Sequence, residues 1–259
     1  MPLLDRPAGN ISYQVSGTGN PAVLLSHGFA ATSRMFDGNV PAIAADHEVI
    51  TWDLRGHGGS DSPADPDCYK AAAALGDMAA LLTSCGHERA VLGGHSLGGY
   101  LSLDFALTFP DRVVGLVLIG TGPGFRNDAA RDGWNRRAMG TAHRFADRGL
   151  AALGSSAELH SSEHRDVDGL VLAARHTLTQ RDSHVLDGLP RIAAPTLVVV
   201  GSDDEPFLGA ADYMTAKIPL ARKVVIPGAG HAPNVDRPDL FDAALRGFLA
   251  DITEADRQT

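Results

Sequence analysis

Two stretches of this chain have no polar face. Val113 to Ile119 reads VVGLVLI, and Thr196 to Val200 reads TLVVV. A strand with one face in water alternates apolar and polar residues. A strand apolar on both faces has to be covered from both sides, as in a parallel sheet flanked by helices. Shorter strands are expected at Ile11 to Val15, Ala22 to Ser26, Glu48 to Trp52, Ala90 to Leu92 and Lys223 to Ile226. Between them lie segments with apolar residues at helical spacing: Ala71 to Ser84, Tyr100 to Phe109, Ala210 to Ile218 and Leu240 to Leu249. This alternation predicts an α/β fold with a mostly parallel central sheet.

One stretch breaks the alternation. From Thr121 to Asp187 no strand is evident, and several segments read as helices. That is too long for an ordinary connection. It reads as an inserted helical cap (residues 121–187) between two parts of a core, residues 1–120 and 188–259. The polar tail after Asp251 is expected to fray. With 259 residues, 44% of them apolar, the chain has room for one large domain with an insertion, or for two small domains.

The formal net charge is −9, with no long basic run, which argues against nucleic acid or an anionic membrane as partner. No window approaches the roughly 18 apolar residues of a membrane span. The first ten residues lack the basic and apolar regions of a secretory signal, so a cytoplasmic location is the default expectation. Cys68 and Cys85 form neither a metal pattern nor a disulfide framework.

The sharpest chemical signal is AVLGGHSLGGYLSLDFAL, residues 90–107. An apolar strand runs into Gly94-His95-Ser96-Leu97-Gly98, and a helix follows. G-x-S-x-G in that context sets a serine on a tight turn, with its Oγ clear of the sheet beside a helix N-terminus. As a bare string it also matches ordinary glycine turns. A P-loop is excluded because no Lys-Ser or Lys-Thr follows, and the glycines do not fit G-x-G-x-x-G.

With these segments in view, the chain resembles the α/β-hydrolase superfamily over nearly its whole length, in the serine-nucleophile branch with a helical cap. Four further segments match in order. LLSHGF, Leu24 to Phe29, resembles the oxyanion segment, and implies an oxyanion hole made by the backbone N–H groups of Phe29 and Leu97. DLRGHGGSDSP, Asp53 to Pro63, is similar to a loop that is structural in the family, so Asp53, Arg55 and Ser60 are expected to shape it, with His57 a tempting but disfavoured base. TLVVVGSDDEP, Thr196 to Pro206, carries the acid of the triad. The family pattern puts it at Asp204, with Asp203 the rival. The alternative acid position, after Ile119, holds Gly120-Thr121-Gly122-Pro123 and no carboxylate. IPGAGHAPNVDRP, Ile226 to Pro238, resembles the terminal histidine loop and implies His231 as the base.

The resemblance implies a serine hydrolase with catalytic Ser96, Asp204 and His231, forming an acyl-enzyme on a small carboxylic ester or lactone. The small-molecule acyl substrate is the partner expected, and a homo-oligomer is compatible. No cofactor and no metal are implied. A serine at the nucleophile position argues against the epoxide-opening and dehalogenating relatives, which carry Asp there. Two other readings stay open: hydrolysis of carbon–carbon bonds in β-diketone-type substrates, or cofactor-free perhydrolysis as in the non-haem haloperoxidases. A third, of a different class, is a ligand-binding sensor with a slow triad.

Two features compete for a role. His160-Ser161-Ser162-Glu163-His164 matches the inverted zinc motif H-x-x-E-H, but its serines weaken a helix and no further ligand is apparent. Arg126, Arg136, Arg137 and Arg175 could clamp a carboxylate, or could form surface ion pairs with the acidic residues around them. Trp134, Phe125 and Phe145 could line a pocket or pack the cap.

Overall fold

A computed structural model describes residues 1–257. Eight strands form one sheet: β1 (Leu3–Leu4), β2 (Ile11–Ser16), β3 (Ala22–Ser26), β4 (Val49–Trp52), β5 (Ala90–His95), β6 (Val113–Ile119), β7 (Thr196–Gly201) and β8 (Ala221–Ile226). Their order is β1-β2-β4-β3-β5-β6-β7-β8. The first two strands run antiparallel to their neighbours, and every pairing from β4 to β8 is parallel. The helices are α1 (Val40–Ile43), α2 (Ala71–Ser84), α3 (Leu97–Thr108), α4 (Asp128–Arg148), α5 (Asp168–His176), α6 (His184–Gly188), α7 (Glu205–Lys217), α8 (Pro233–Asp236) and α9 (Pro238–Arg257). This is the α/β-hydrolase fold that the sequence leads one to expect. Among the described residues, no helix is long and apolar enough to cross a membrane.

The apolar runs divide by alternation between the two faces of the sheet. Leu24, Leu92, Leu116, Leu118, Val198 and Val200 join a core with Met78 and Leu81 of α2, Leu101 and Phe105 of α3, and Met214 of α7. Val23, Leu25, Val91, Val117, Ile119, Leu197 and Val199 join a second core with Ile43 of α1 and Phe241, Leu245 and Phe248 of α9. Both faces are dry, so neither tolerates the polar residues that would mark a half-exposed strand.

Between β6 and β7 the chain is helical or irregular throughout. Phe145 of α4 and Leu170, Val171 and Ala174 of α5 make a third apolar cluster with Ala30, against which Phe29 packs. The segment between β6 and β7 therefore rests on the loop after β3. α6 reaches the other way: Val185, with Leu189 and Ile192 just after the helix, belongs to the main core beside α3.

The C-terminal tail departs from expectation. It is not irregular directly after Asp251, because α9 continues to Arg257; Gln258 and Thr259 lie outside the described residues. Ile252 is 6% exposed, and its Cδ1 occupies the space that a Cβ on Gly115 of β6 would need. A polar sequence hid one buried contact that recurs with the helical period. Replacing Ile252 with Ala is expected to cost about 2–5 kcal/mol of stability, measured by urea unfolding. A change below about 0.5 kcal/mol, the range typical of surface sites, would mean that the last turns do not pack.

Candidate active site

The turn after β5 is the most constrained backbone in the molecule. Ser96 has φ 50° and ψ −110°, a conformation that costs a non-glycine residue about 1–3 kcal/mol. Three hydrogen bonds hold it there. Ser96 N–H donates to the Ile119 carbonyl at 2.9 Å. The Ser96 carbonyl accepts from Thr121 Oγ1 at 2.6 Å and from Tyr100 N–H at 3.1 Å. The glycines follow from space: a Cβ on Gly94 would run into the Gly98 backbone, and one on Gly98 into the Ser26 carbonyl. α3 begins at Leu97, directly after the serine and three residues before the expected start. Gly98 and Gly99 are poor helix formers and mask that start.

Leu97 is the first residue of α3, so its N–H has no carbonyl one turn back in the helix. Phe29 N–H has no backbone acceptor among the described residues. The segments carrying these two amides meet at Gly28, where a Cβ would lie 3.4 Å from Ser96 Cβ and 2.6 Å from His95 Nδ1. Two unpaired donors beside a serine hydroxyl are what a developing oxyanion requires.

Of the two candidate acids, Asp204 is the one that meets the histidine. His231 Nδ1 and Asp204 Oδ2 are 2.9 Å apart, and Asp204 is 5% exposed. Asp203 Oδ1 instead accepts from Ser202 Oγ at 2.7 Å. His231 Nε2 has no hydrogen-bond partner among the described residues, which leaves it open to accept a proton. Among the described residues no hydrogen bond joins it to Ser96 Oγ. Such bonds commonly tighten only around substrate. His95, next to the serine, ties the two parts together, because its Nε2 lies 3.0 Å from the His231 carbonyl and the two rings are 4.7 Å apart.

A cavity of about 270 Å³ opens over Ser96 and Leu97. Its large lining side chains are Phe125, Trp134, Leu178, Phe207 and Tyr100. Phe207 also stacks at 4.7 Å on the ring of His231. Phe125 and Trp134 are thus pocket residues, whereas Phe145 is buried and packs edge-on against Phe29 at 6.0 Å. Of the arginines, Arg126 pairs with Asp187 at 2.9 Å, and Arg137 lines the cavity. Nothing in the residue type of Tyr100 announces its place in the cavity wall.

The loop from Asp53 to Pro63 is architectural. Asp53 accepts from Ser33 N–H at 2.8 Å and Gly59 N–H at 2.9 Å. Arg55 forks onto Asp77 at 2.6 and 2.9 Å. His57 is buried, with Nδ1 3.0 Å from the Arg55 carbonyl, and is not part of the cavity wall. The zinc-like motif also resolves into other contacts. Glu163 is exposed and pairs with Arg34 at 3.3 Å. Both ring nitrogens of His164 are engaged by backbone groups at 3.0 Å. Among the described residues, no three potential ligands cluster as a metal site.

Residues 23–244 match the alpha/beta hydrolase family. Among curated relatives, a putative 2-succinyl-6-hydroxy-2,4-cyclohexadiene-1-carboxylate synthase of Bacillus subtilis is 27% identical, covering 93% of this chain and 96% of its own length. A putative carbamate hydrolase of Azorhizobium caulinodans is 28% identical, covering 98% of this chain and 100% of its own length. Among solved structures, a thermophilic esterase from Thermogutta terrifontis superposes with a TM-score of 0.81 at 27% identity, with 94% of each chain covered.

Several buried histidines surround this site. Burial holds His27 and His95 down to about 3, and His57 well below the ordinary value of 6.5. The unfolded chain takes up those protons near 6.5, so below that pH it binds more protons than the folded state. Stability is therefore expected to fall as pH drops from about 6.5 toward 3. The loss should be on the order of 2 kcal/mol for each of His27 and His95 between pH 7 and 5, above most of the carboxylate range. Urea unfolding at pH 7, 6 and 5 measures it. An unchanged midpoint would show that these rings ionise freely in the folded protein.

Proposed function

We propose, because this chain belongs to the alpha/beta hydrolase family, that it is a serine hydrolase acting on a small carboxylic ester or lactone through an acyl-enzyme on Ser96. The family supports hydrolysis in general. The finer reading rests on one observation above all: His231 is fixed to Asp204 at 2.9 Å through Nδ1, with Nε2 left open.

In this reading His231 Nε2 takes the proton from Ser96 Oγ as the oxygen attacks the substrate carbonyl. Asp204 fixes the tautomer and stabilises the imidazolium. The Phe29 and Leu97 amides hold the oxyanion, an interaction worth about 3–4 kcal/mol per donor in comparable enzymes. The imidazolium returns its proton to the leaving alcohol. Water, deprotonated by His231, then attacks the acyl-enzyme and releases the acid. No step needs a cofactor.

The apolar, aromatic cavity of about 270 Å³ suits a compact acyl or alkoxy group. Ten of its lining residues, among them Phe125, Trp134, Thr177, Leu178 and Gln180, come from the segment between β6 and β7. That supports residues 121–187 as a substrate-selecting cap on a core formed by residues 1–120 and 188–259. The relative named as a synthase of a cyclohexadiene carboxylate keeps carbon–carbon chemistry within the range to be tested.

A fluorophosphonate probe is expected to label the wild-type protein and not Ser96→Ala. On a panel of p-nitrophenyl esters and lactones, Ser96→Ala and His231→Ala should each lower kcat by at least about 10³-fold. Asp204→Asn should lower it by about 10²- to 10⁴-fold, and Asp203→Asn by less than about threefold. Equal labelling of Ser96→Ala would remove the serine from its role. Turnover of a vinylogous diketone with no ester cleavage would move the reaction to the carbon–carbon class. Tight ligand binding without turnover would favour the sensor.

A further inference from the structure

We propose that His164 is a positioning residue for the oxyanion donor at Phe29, acting from the inserted segment through a directed chain of hydrogen bonds. The inference rests on the catalytic reading above for the role of that amide, and on the following geometry for the rest.

Gly58 N–H donates to His164 Nδ1 at 3.0 Å. That nitrogen must therefore be the acceptor of a neutral ring, and Nε2 carries the hydrogen. Nε2–H donates to the Ala30 carbonyl at 3.0 Å. The same peptide unit, through Ala31 N–H, donates to the Gly28 carbonyl at 3.2 Å. That carbonyl belongs to the planar unit whose N–H is Phe29's. Every donor in the series points the same way: Gly58 N–H, the His164 ring, the Ala30–Ala31 peptide, the Gly28–Phe29 peptide. Its free end is the Phe29 amide. Because C=O and N–H lie antiparallel across a trans peptide, fixing the Gly28 carbonyl fixes the direction in which Phe29 N–H points. Donors aligned in series also polarise one another.

A second branch fixes the same carbonyl. Leu54 N–H donates to His27 Nε2 at 3.0 Å, so His27 Nδ1–H donates to the Gly28 oxygen at 2.7 Å. The His164 branch answers a specific strain. Ala30 has φ 60°, the position in this turn where glycine is favoured. An alanine remains there only if its surroundings impose it. The His164 bond to its carbonyl supplies that restraint. The Phe29 ring is gripped as well, 5.6 Å from His57 and 6.0 Å from Phe145, both edge-on. The inserted segment thus holds both the side chain and the backbone of the residue whose amide would receive the oxyanion. Movement of the segment that contains His164 would release the donor.

The test compares two polar isosteres. Gln carries its amide N–H close to the position of imidazole Nε2, and Asn carries it close to Nδ1. His164→Gln is therefore expected to keep kcat within about threefold of wild type, and His164→Asn to lower kcat by about tenfold or more with KM changed less than twofold. The second readout is the Phe29 amide 15N–1H signal of the free protein, assigned with the Phe29→Leu variant. It should move upfield in His164→Asn and return toward the wild-type position in His164→Gln. An unmoved Phe29 signal in both variants overturns the proposal, whatever the activity. So does a KM change in His164→Asn at constant kcat, which would mean that the segment merely shapes the pocket. If the wild-type protein cleaves no acyl substrate, the catalytic reading fails, and the amide signal still decides whether His164 orients Phe29.

Discussion

The backbone of Ser96 lies in a region that L-residues avoid, and much of the site depends on keeping it there. Nothing in the turn itself favours that state. It is imposed by β6 through the Ile119 carbonyl and by Thr121 through its hydroxyl, and by glycines that let α3 approach β3 and β5 closely. The hydroxyl-bearing residue consequently stands at the junction of β5 and α3, with an unsatisfied helix N–H beside it. A strained turn of this kind survives only on a rigid support, and the parallel sheet with dry faces on both sides provides one.

Around that turn the protein uses neutral histidines as joints. His27 holds the Gly28 carbonyl, His95 the His231 carbonyl, and His164 the Ala30 carbonyl. A neutral imidazole can accept from one backbone group and donate to another, so it bridges loops that no regular ladder connects. His27, His57, His95 and His164 are buried or partly buried, and burial is the first cause holding each one neutral. The catalytic candidate His231 differs in that its nitrogen partner is a carboxylate.

Much of this was legible in the sequence. VVGLVLI and TLVVV announce β6 and β7 because dry faces tolerate no polar residue. The glycine turn announces the serine because the close approach of α3 allows no other side chain. The choice of Asp204 over Asp203 came from resemblance, and the hydrogen bond to His231 accords with it. Other features were not legible. β1 is two residues long and carries no period. The packing of Ile252 depends on the missing Cβ of Gly115, more than a hundred residues away. His164 stood in a string that resembles a zinc motif, while its actual partners are backbone groups of Gly58 and Ala30. No side-chain pattern records a backbone partner.

The central claim is that Ser96 carries the acyl group during turnover. Acid quenching of the protein while it turns over a p-nitrophenyl ester, followed by intact and peptide mass measurement, tests this most directly. The account requires the mass of the acyl group to appear on the peptide containing Ser96, most abundantly when deacylation is slow. Turnover with no adduct there, or an adduct on another residue that persists in Ser96→Ala, would contradict it.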